Sequence, residues 1–163
     1  MHARSNSLKG FTVAEVMLVI GLIALLGGMT AVEGFNAYRR ALTRTDAERI
    51  FGLLRRARSD SIHGVCLSGT CTESPFHGVS LSAHGATLFE GSDFKTRSQS
   101  VDETLSLEGT GIASSTGDIL FAPLTGKADK DATVTLADPY GARWDITVYA
   151  SGAIDMSLQD ETD

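Results

Sequence analysis

The stretch K-G-F-T-V-A-E-V-M-L-V-I-G-L-I-A-L-L-G-G-M-T-A-V, residues 9–32, decides how the rest of the chain is read. Residues 16–32 carry no charge and are almost all apolar. That run falls just short of the roughly 20 residues that cross a bilayer, and residues 11–14 lengthen it sufficiently. Arg4 and Lys9 precede it, as they would in a secretory signal. The apolar block is longer than a typical signal core, however, and no small-residue cleavage site follows it. It is therefore expected to remain with the protein and enter a membrane. Charge alone does not orient it, because Arg39 and Arg40 beyond its far end oppose Arg4 and Lys9.

Glu15 is the residue an inert anchor would not carry. A carboxylate near the start of an apolar helix costs roughly 2–3.5 kcal/mol if held deep in lipid without a partner. It must be neutralised, paired, or kept near the interface by snorkelling from the helix end. In context, Lys9-Gly10-Phe11-Thr12-Val13-Ala14-Glu15 resembles the class III leader of type IV prepilins and pseudopilins. The resemblance implies that a prepilin peptidase cuts after Gly10 and methylates the new amine of Phe11. It also implies that Glu15 pairs with the charged N-terminus of a neighbouring subunit, and that the leader is cytoplasmic and the rest exported. An intramolecular pairing is open as well, since Phe11 and Glu15 are i,i+4 neighbours on a helix.

Past the apolar run, Phe35, Tyr38, Leu42, Ile50, Leu54 and Ala57 recur at near-helical spacing. One helix from Thr12 to about His63 would have a contour of roughly 75 Å at about 1.5 Å per residue, so its second half must pack on something. Ile50, Leu53, Leu54 and Ala57 are expected to face a sheet. Arg39, Arg40, Arg44, Arg49, Arg55, Arg56 and Arg58 alternate with Glu33, Asp46, Glu48 and Asp60, which reads as a solvated face. Gly27 and Gly28 each weaken a helix by about 1 kcal/mol relative to Ala, marking either a bend or close packing of small residues. The helix-kinking proline common in major pilins is missing here.

After Gly64 the helical period stops and short apolar or alternating runs appear: residues 76–81, 86–89, 104–107, 119–121, 133–136, 144–149 and 153–156. Turns are expected at 83–85, 123–126, 138–141 and 151–152. The expected organisation is a leader (1–10), a transmembrane helix half (11–33), an amphipathic helix half (34–63), a β-rich head (64–158) and an acidic, disordered tail (159–163). The fold class is α+β: a long N-terminal helix packed on a small antiparallel pilin-like head.

The chain is 42 % hydrophobic with a formal charge of -6. The arginine-rich helix lies upstream of Gly64, so the head is acidic, which argues against nucleic acid as a partner of its surface. Cys66 and Cys71 sit in a Gly- and Ser-containing segment that a disulfide could close, contributing at most roughly 2 kcal/mol over so short a loop. With His63 and His77 they also form an H-x2-C-x4-C-x5-H set of zinc ligand types, compressed relative to common structural sites. Disulfide, zinc and free thiols all remain open, and no cofactor is expected. Asp129 and Asp131 lack the remainder of a calcium loop and read as an acidic turn. No nucleophile elbow, metalloprotease helix or phosphate loop is present, so an enzyme is not expected, and His63, His77 and His84 read as surface or loop residues.

The segments I-L-F-A-P-L-T-G (119–126) and W-D-I-T-V-Y-A-S-G (144–152), with Ala57-Arg58-Ser59, are similar to the GspH/FimT group of minor pseudopilins and minor pilins. Some FimT-like proteins bind DNA through a C-terminal G-R-x-R segment. Here Gly152, Ala153, Ile154 and Asp155 stand in its place, so both arginines are absent. The resemblance implies a structural subunit of a type IV pilus or of a type II secretion pseudopilus. Its partners would be prepilin peptidase, other pilin or pseudopilin subunits and membrane lipid, its site the inner membrane and then a filament. The competing expectation is a membrane-tethered head that binds a ligand in adhesion or DNA uptake.

Overall fold

The computed structural model describes residues 11–108, 111–115, 117–137 and 143–159, with the side chains of 29–33, 36 and 114 left aside. Helix α1 runs over Val13–His63 without interruption at Gly27 or Gly28. The chain divides into two compact units, Met1–Ala37 and Tyr38–Asp163.

In the first unit, Thr12 caps the start of α1 by accepting the Glu15 backbone N–H on its hydroxyl at 3.3 Å. That contact satisfies one of the orphan donors of a helix start, and the spacing T-x-x-E is that of a capping box. The apolar side chains that follow lie exposed, from Phe11 and Val13 through Met17, Ile20 and Ile23 to Leu26. Among the described residues no helix is long and apolar enough to cross a membrane. The expected span also counts residues 29–32, whose side chains lie outside those described.

In the second unit α1 buries one stripe: Thr43, Asp46, Ala47, Ile50, Leu53, Leu54, Ala57 and Ser61. The steps of three and four residues keep these side chains on one face. Ile50, Leu53, Leu54 and Ala57 thus occupy the inward positions their spacing suggested. Asp46 was read as part of the solvated face and is instead buried on the inner one, within 3.8 Å of Arg49. The helix stops at Gly64, whose φ of 60° is open to glycine at little cost. Gly64 N–H bonds the Ser61 carbonyl and Val65 N–H the Asp60 carbonyl, which is the paired closure of a Schellman end.

Eight strands follow among the described residues: β1 (His77–Ser82), β2 (Gly85–Glu90), β3 (Glu103–Ser106), β4 (Gly111–Ser115), β5 (Ile119–Phe121), β6 (Ala132–Ala137), β7 (Arg143–Val148) and β8 (Ile154–Gln159). They form two antiparallel sheets, ordered β3-β2-β1-β5 and β4-β6-β7-β8. Strand β4 was not anticipated. Its sequence, GIASS, offers one large apolar residue, and its register with β6 shifts between Ile112 and Ser114, which breaks the period of two. The turn expected at 138–141 lies outside the described residues. Gln159 closes β8, and the rest of the expected tail also lies outside them.

Alternation supplies the core. Ala132, Val134 and Leu136 of β6 and Ile146 and Val148 of β7 join Val79, Leu88, Ile119 and Phe121 of the first sheet against the buried stripe of α1. Phe89 points the other way and meets Phe94 edge-on, ring centroids 5.2 Å apart. Arg97 covers Phe94 and bonds Asp102, pinning the connection between β2 and β3.

Leu54 is fully buried at the centre of the stripe. Leu54→Ala is expected to cost about 2–5 kcal/mol, read as a lower denaturant midpoint for the full chain in detergent. Arg44→Ala, on the exposed face, should stay within about 0.5 kcal/mol.

Candidate functional site

The residues singled out in the sequence fall into two places. Gly10 lies outside the described residues. Phe11 is 83 % exposed and Glu15 is exposed one helical turn later. They head the exposed apolar segment of the first unit.

The second place is a polar cluster where the end of α1, the following loop, β1 and β2 meet. Cys66 and Cys71 are joined by a disulfide. Glu90, at the end of β2 and only 7 % exposed, holds the bridged loop. It accepts Leu67 N–H at 2.5 Å and the Ser68 hydroxyl at 2.7 Å, and it lies 3.5 Å from Cys71 Sγ. A carboxylate that accepts backbone donors in this way anchors a loop strongly, because charge-assisted bonds are about twice as strong as neutral ones.

His77 was expected at the surface or in a loop. It is fully buried in β1 instead. Its period-two position places it inward, and Ser61 supplies the polar partner that burial requires. The hydroxyl proton of Ser61 goes to the Phe121 carbonyl at 3.0 Å. Ser61 Oγ then accepts the His77 backbone N–H at 3.1 Å and faces Nδ1 at 3.3 Å. Which of Ser61 Oγ and Nδ1 donates in that contact depends on the tautomer of the ring. Nε2 is buried without a hydrogen-bond partner, 4.0 Å from Glu90 Oε2.

Ser61, His77 and Glu90 thus line up like a catalytic triad, but the arrangement cannot act as one. Ser61 is fully buried and its hydroxyl lies 3.0 Å from the Phe121 carbonyl, so no substrate carbonyl reaches it. The four-residue zinc set does not assemble as the spacing suggested either. His63 is exposed and bonds the Ser59 carbonyl within its own helix turn, while Glu90, far along the chain, closes on both sulfurs. Sequence spacing could not have found Glu90, because only the register of β1 with β2 brings it opposite His77.

Arg55, Arg58, Ser59, Ile62 and His63 line a shallow cleft of about 230 Å³ on the last turns of α1. All five come from one helix, at the end whose dipole opposes an anion. The turn at Gly152 presses on Arg58: a side chain there would strike the Gly126 carbonyl and stand 3.0 Å from Arg58 Nε, and its φ of 85° also favours glycine. Beyond it Ala153 and Asp155 are exposed, so the surface corresponding to a G-R-x-R segment is uncharged and then acidic. Asp129 and Asp131 cap backbone N–H groups of Leu120 and Ala150, the ordinary work of turn aspartates.

Burial pushes the His77 imidazole below its usual 6.5, against the raising pull of Asp60, Glu90 and the Val65 carbonyl. The folded head therefore binds fewer protons at His77 than the unfolded chain just below that value. This contribution to stability is present above about pH 6.5 and is lost as the pH falls toward the lower folded value. The midpoint of the oxidised protein should fall between about pH 7 and about pH 5.5, and His77→Gln should flatten that slope. An unchanged slope in the variant would remove His77 as its source. Glu90→Ala should cost about 1–3 kcal/mol by stranding buried donors, with faster hydrogen exchange at the Leu67 and Ser68 amides.

No protein-family model matches the chain, and no curated protein sequence matches it. Among solved structures it is similar to the crystal structure of the type IV minor pilin FimU of Pseudomonas aeruginosa strain PAO1. The TM-score is 0.52 at 12 % identity, covering 70 % of this chain and 91 % of that one. At that identity the likeness speaks for the fold: a helix packed on antiparallel sheets in the manner of a pilin.

Proposed function

We propose that the protein is a structural subunit, of minor-pilin or minor-pseudopilin type, of a filament built by packing N-terminal helices. The observation that carries this reading is the exposed apolar surface from Phe11 to Leu26 with one carboxylate, Glu15, at its head, on a chain of pilin-like fold. An apolar helix surface of this kind belongs in lipid or against other helices.

In this reading residues 1–10 are a leader cut after Gly10 by prepilin peptidase, and the amine of Phe11 is methylated. Residues 11–33 anchor the subunit in the inner membrane until assembly, with the head outside. The sequence 11–32 supplies the roughly 20 residues that such an anchor needs. Glu15 then finds its partner in the N-terminus of a neighbouring subunit, which removes the cost of burying it alone. An oxidising compartment outside the membrane suits the Cys66–Cys71 bridge. A DNA-binding role gains no support from Ala153 and Asp155, which stand where cations would be needed.

The protein isolated from membranes of cells containing a prepilin peptidase should begin at methylated Phe11 by intact mass and N-terminal sequencing. Gly10→Ala should leave it uncut. A wild-type chain that still begins at Met1 would leave a tethered head and overturn the filament reading. Deleting the gene and scoring secretion beside piliation assigns the filament system.

A further inference from the structure

The environment of His77 has a chemical asymmetry that the disulfide form leaves unused. Its Nδ1 is engaged by Ser61, and Nε2, buried without a hydrogen-bond partner, faces the Glu90 carboxylate across 4.0 Å. A buried ring nitrogen and a carboxylate that face each other without a hydrogen bond can be joined by a positive species between them, a proton or a metal cation. Beside them lie two sulfurs: the ligand atoms of Cys66, Cys71 and Glu90 all fall within 4.8 Å of one another.

We propose that the dithiol form of the head binds one thiophilic divalent cation, zinc foremost, between Cys66, Cys71, Glu90 and His77. Two thiolates, an imidazole and a carboxylate are the ligand types zinc takes in four-coordinate sites. With metal–ligand bonds of about 2.0–2.3 Å, a tetrahedron has edges of about 3.3–3.8 Å. The ligand atoms of Cys66, Cys71 and Glu90 need only modest contraction to reach those edges, the sulfurs part when their bond is broken, and His77, 4.0 Å from Glu90, takes the fourth corner by moving toward the sulfurs. The Ser61 contact on Nδ1 is the outer hydrogen bond that fixes the tautomer of a ligating histidine. Glu90 has lone pairs enough to keep Ser68 and still take a cation.

Bridge and cation use the same sulfurs and exclude each other. A dithiol or phosphine reductant delivers two electrons to the bridge, the sulfurs take up two protons, and the reductant leaves as its disulfide or oxide. The phosphine oxide takes its oxygen from water, which supplies those protons. Cation binding then returns the thiol protons to solvent. The cation form thus belongs to the chain before its bridge closes, and either link ties the loop after Gly64 to β1 and β2. The inference does not depend on the filament reading.

The test is a titration of the full-length chain in detergent, reduced with a phosphine, with cobalt(II). One equivalent should produce a thiolate-to-cobalt charge-transfer band and the strong visible bands of four-coordinate cobalt, and zinc(II) should bleach both. The oxidised protein and the Cys66→Ser/Cys71→Ser variant should give neither. His77→Ala should keep the sulfur band while weakening affinity at least about tenfold. Absence of the bands in reduced protein that retains the circular dichroism of the oxidised form would overturn the site. So would equal affinity in His77→Ala and Glu90→Gln, since the cation would then sit on the thiols alone.

Discussion

One carboxylate at the head of an uncovered apolar helix is the constraint on which the rest depends. Each Val, Leu, Ile or Met side chain taken out of water contributes about 1.5–3 kcal/mol. Glu15 taken with them costs roughly 2–3.5 kcal/mol if it goes alone. Two apolar neighbours already offset it, and Met17, Leu18, Ile20 and Ile23 are all exposed. Burial of this segment therefore wins, with the carboxylate as a residual cost that a cationic partner removes. An inert anchor gains nothing from keeping Glu15; an assembling one would gain register wherever a neighbour placed to meet it supplies the partner.

The second unit solves a separate problem. Its helix stripe from Thr43 to Ser61 is covered by inward residues of both sheets, and the stripe ends in polar chemistry rather than in apolar contact. Ser61 accepts the His77 backbone N–H and donates to the Phe121 carbonyl, and Glu90 holds the bridged loop. The helix end, two strands and a loop are joined at one point by groups that cannot be solvated there. The disulfide closes a loop too short to contribute more than about 2 kcal/mol, so its effect is to fix the loop over Glu90 and His77.

Much of this was legible in the sequence, and the exceptions have physical causes. The stripe of Ile50, Leu53, Leu54 and Ala57 follows from helical spacing, and Gly64 marks the helix end because it must adopt a positive φ. Strands β6 and β7 alternate plainly, whereas β4 carries one large apolar residue and a register shift. The candidate site was harder. Spacing drew attention to His63, which faces solvent, and passed over Glu90, whose proximity to the cysteines arises from strand pairing. His77 read as a surface residue because its partner Ser61 belongs to a different element, and a buried histidine is recognisable only with its partner in view.

The most direct measurement is the distribution of Glu15→Gln between the membrane and filaments sheared from cells, against wild type and with processing checked in both. If Glu15 serves assembly, the variant should be cut after Gly10 and retained in the membrane, yet be depleted from the sheared fraction. Equal recovery of variant and wild type in filaments would show that the carboxylate has no part in packing the subunits, and the assembly role assigned to the N-terminal helix would lose its physical basis.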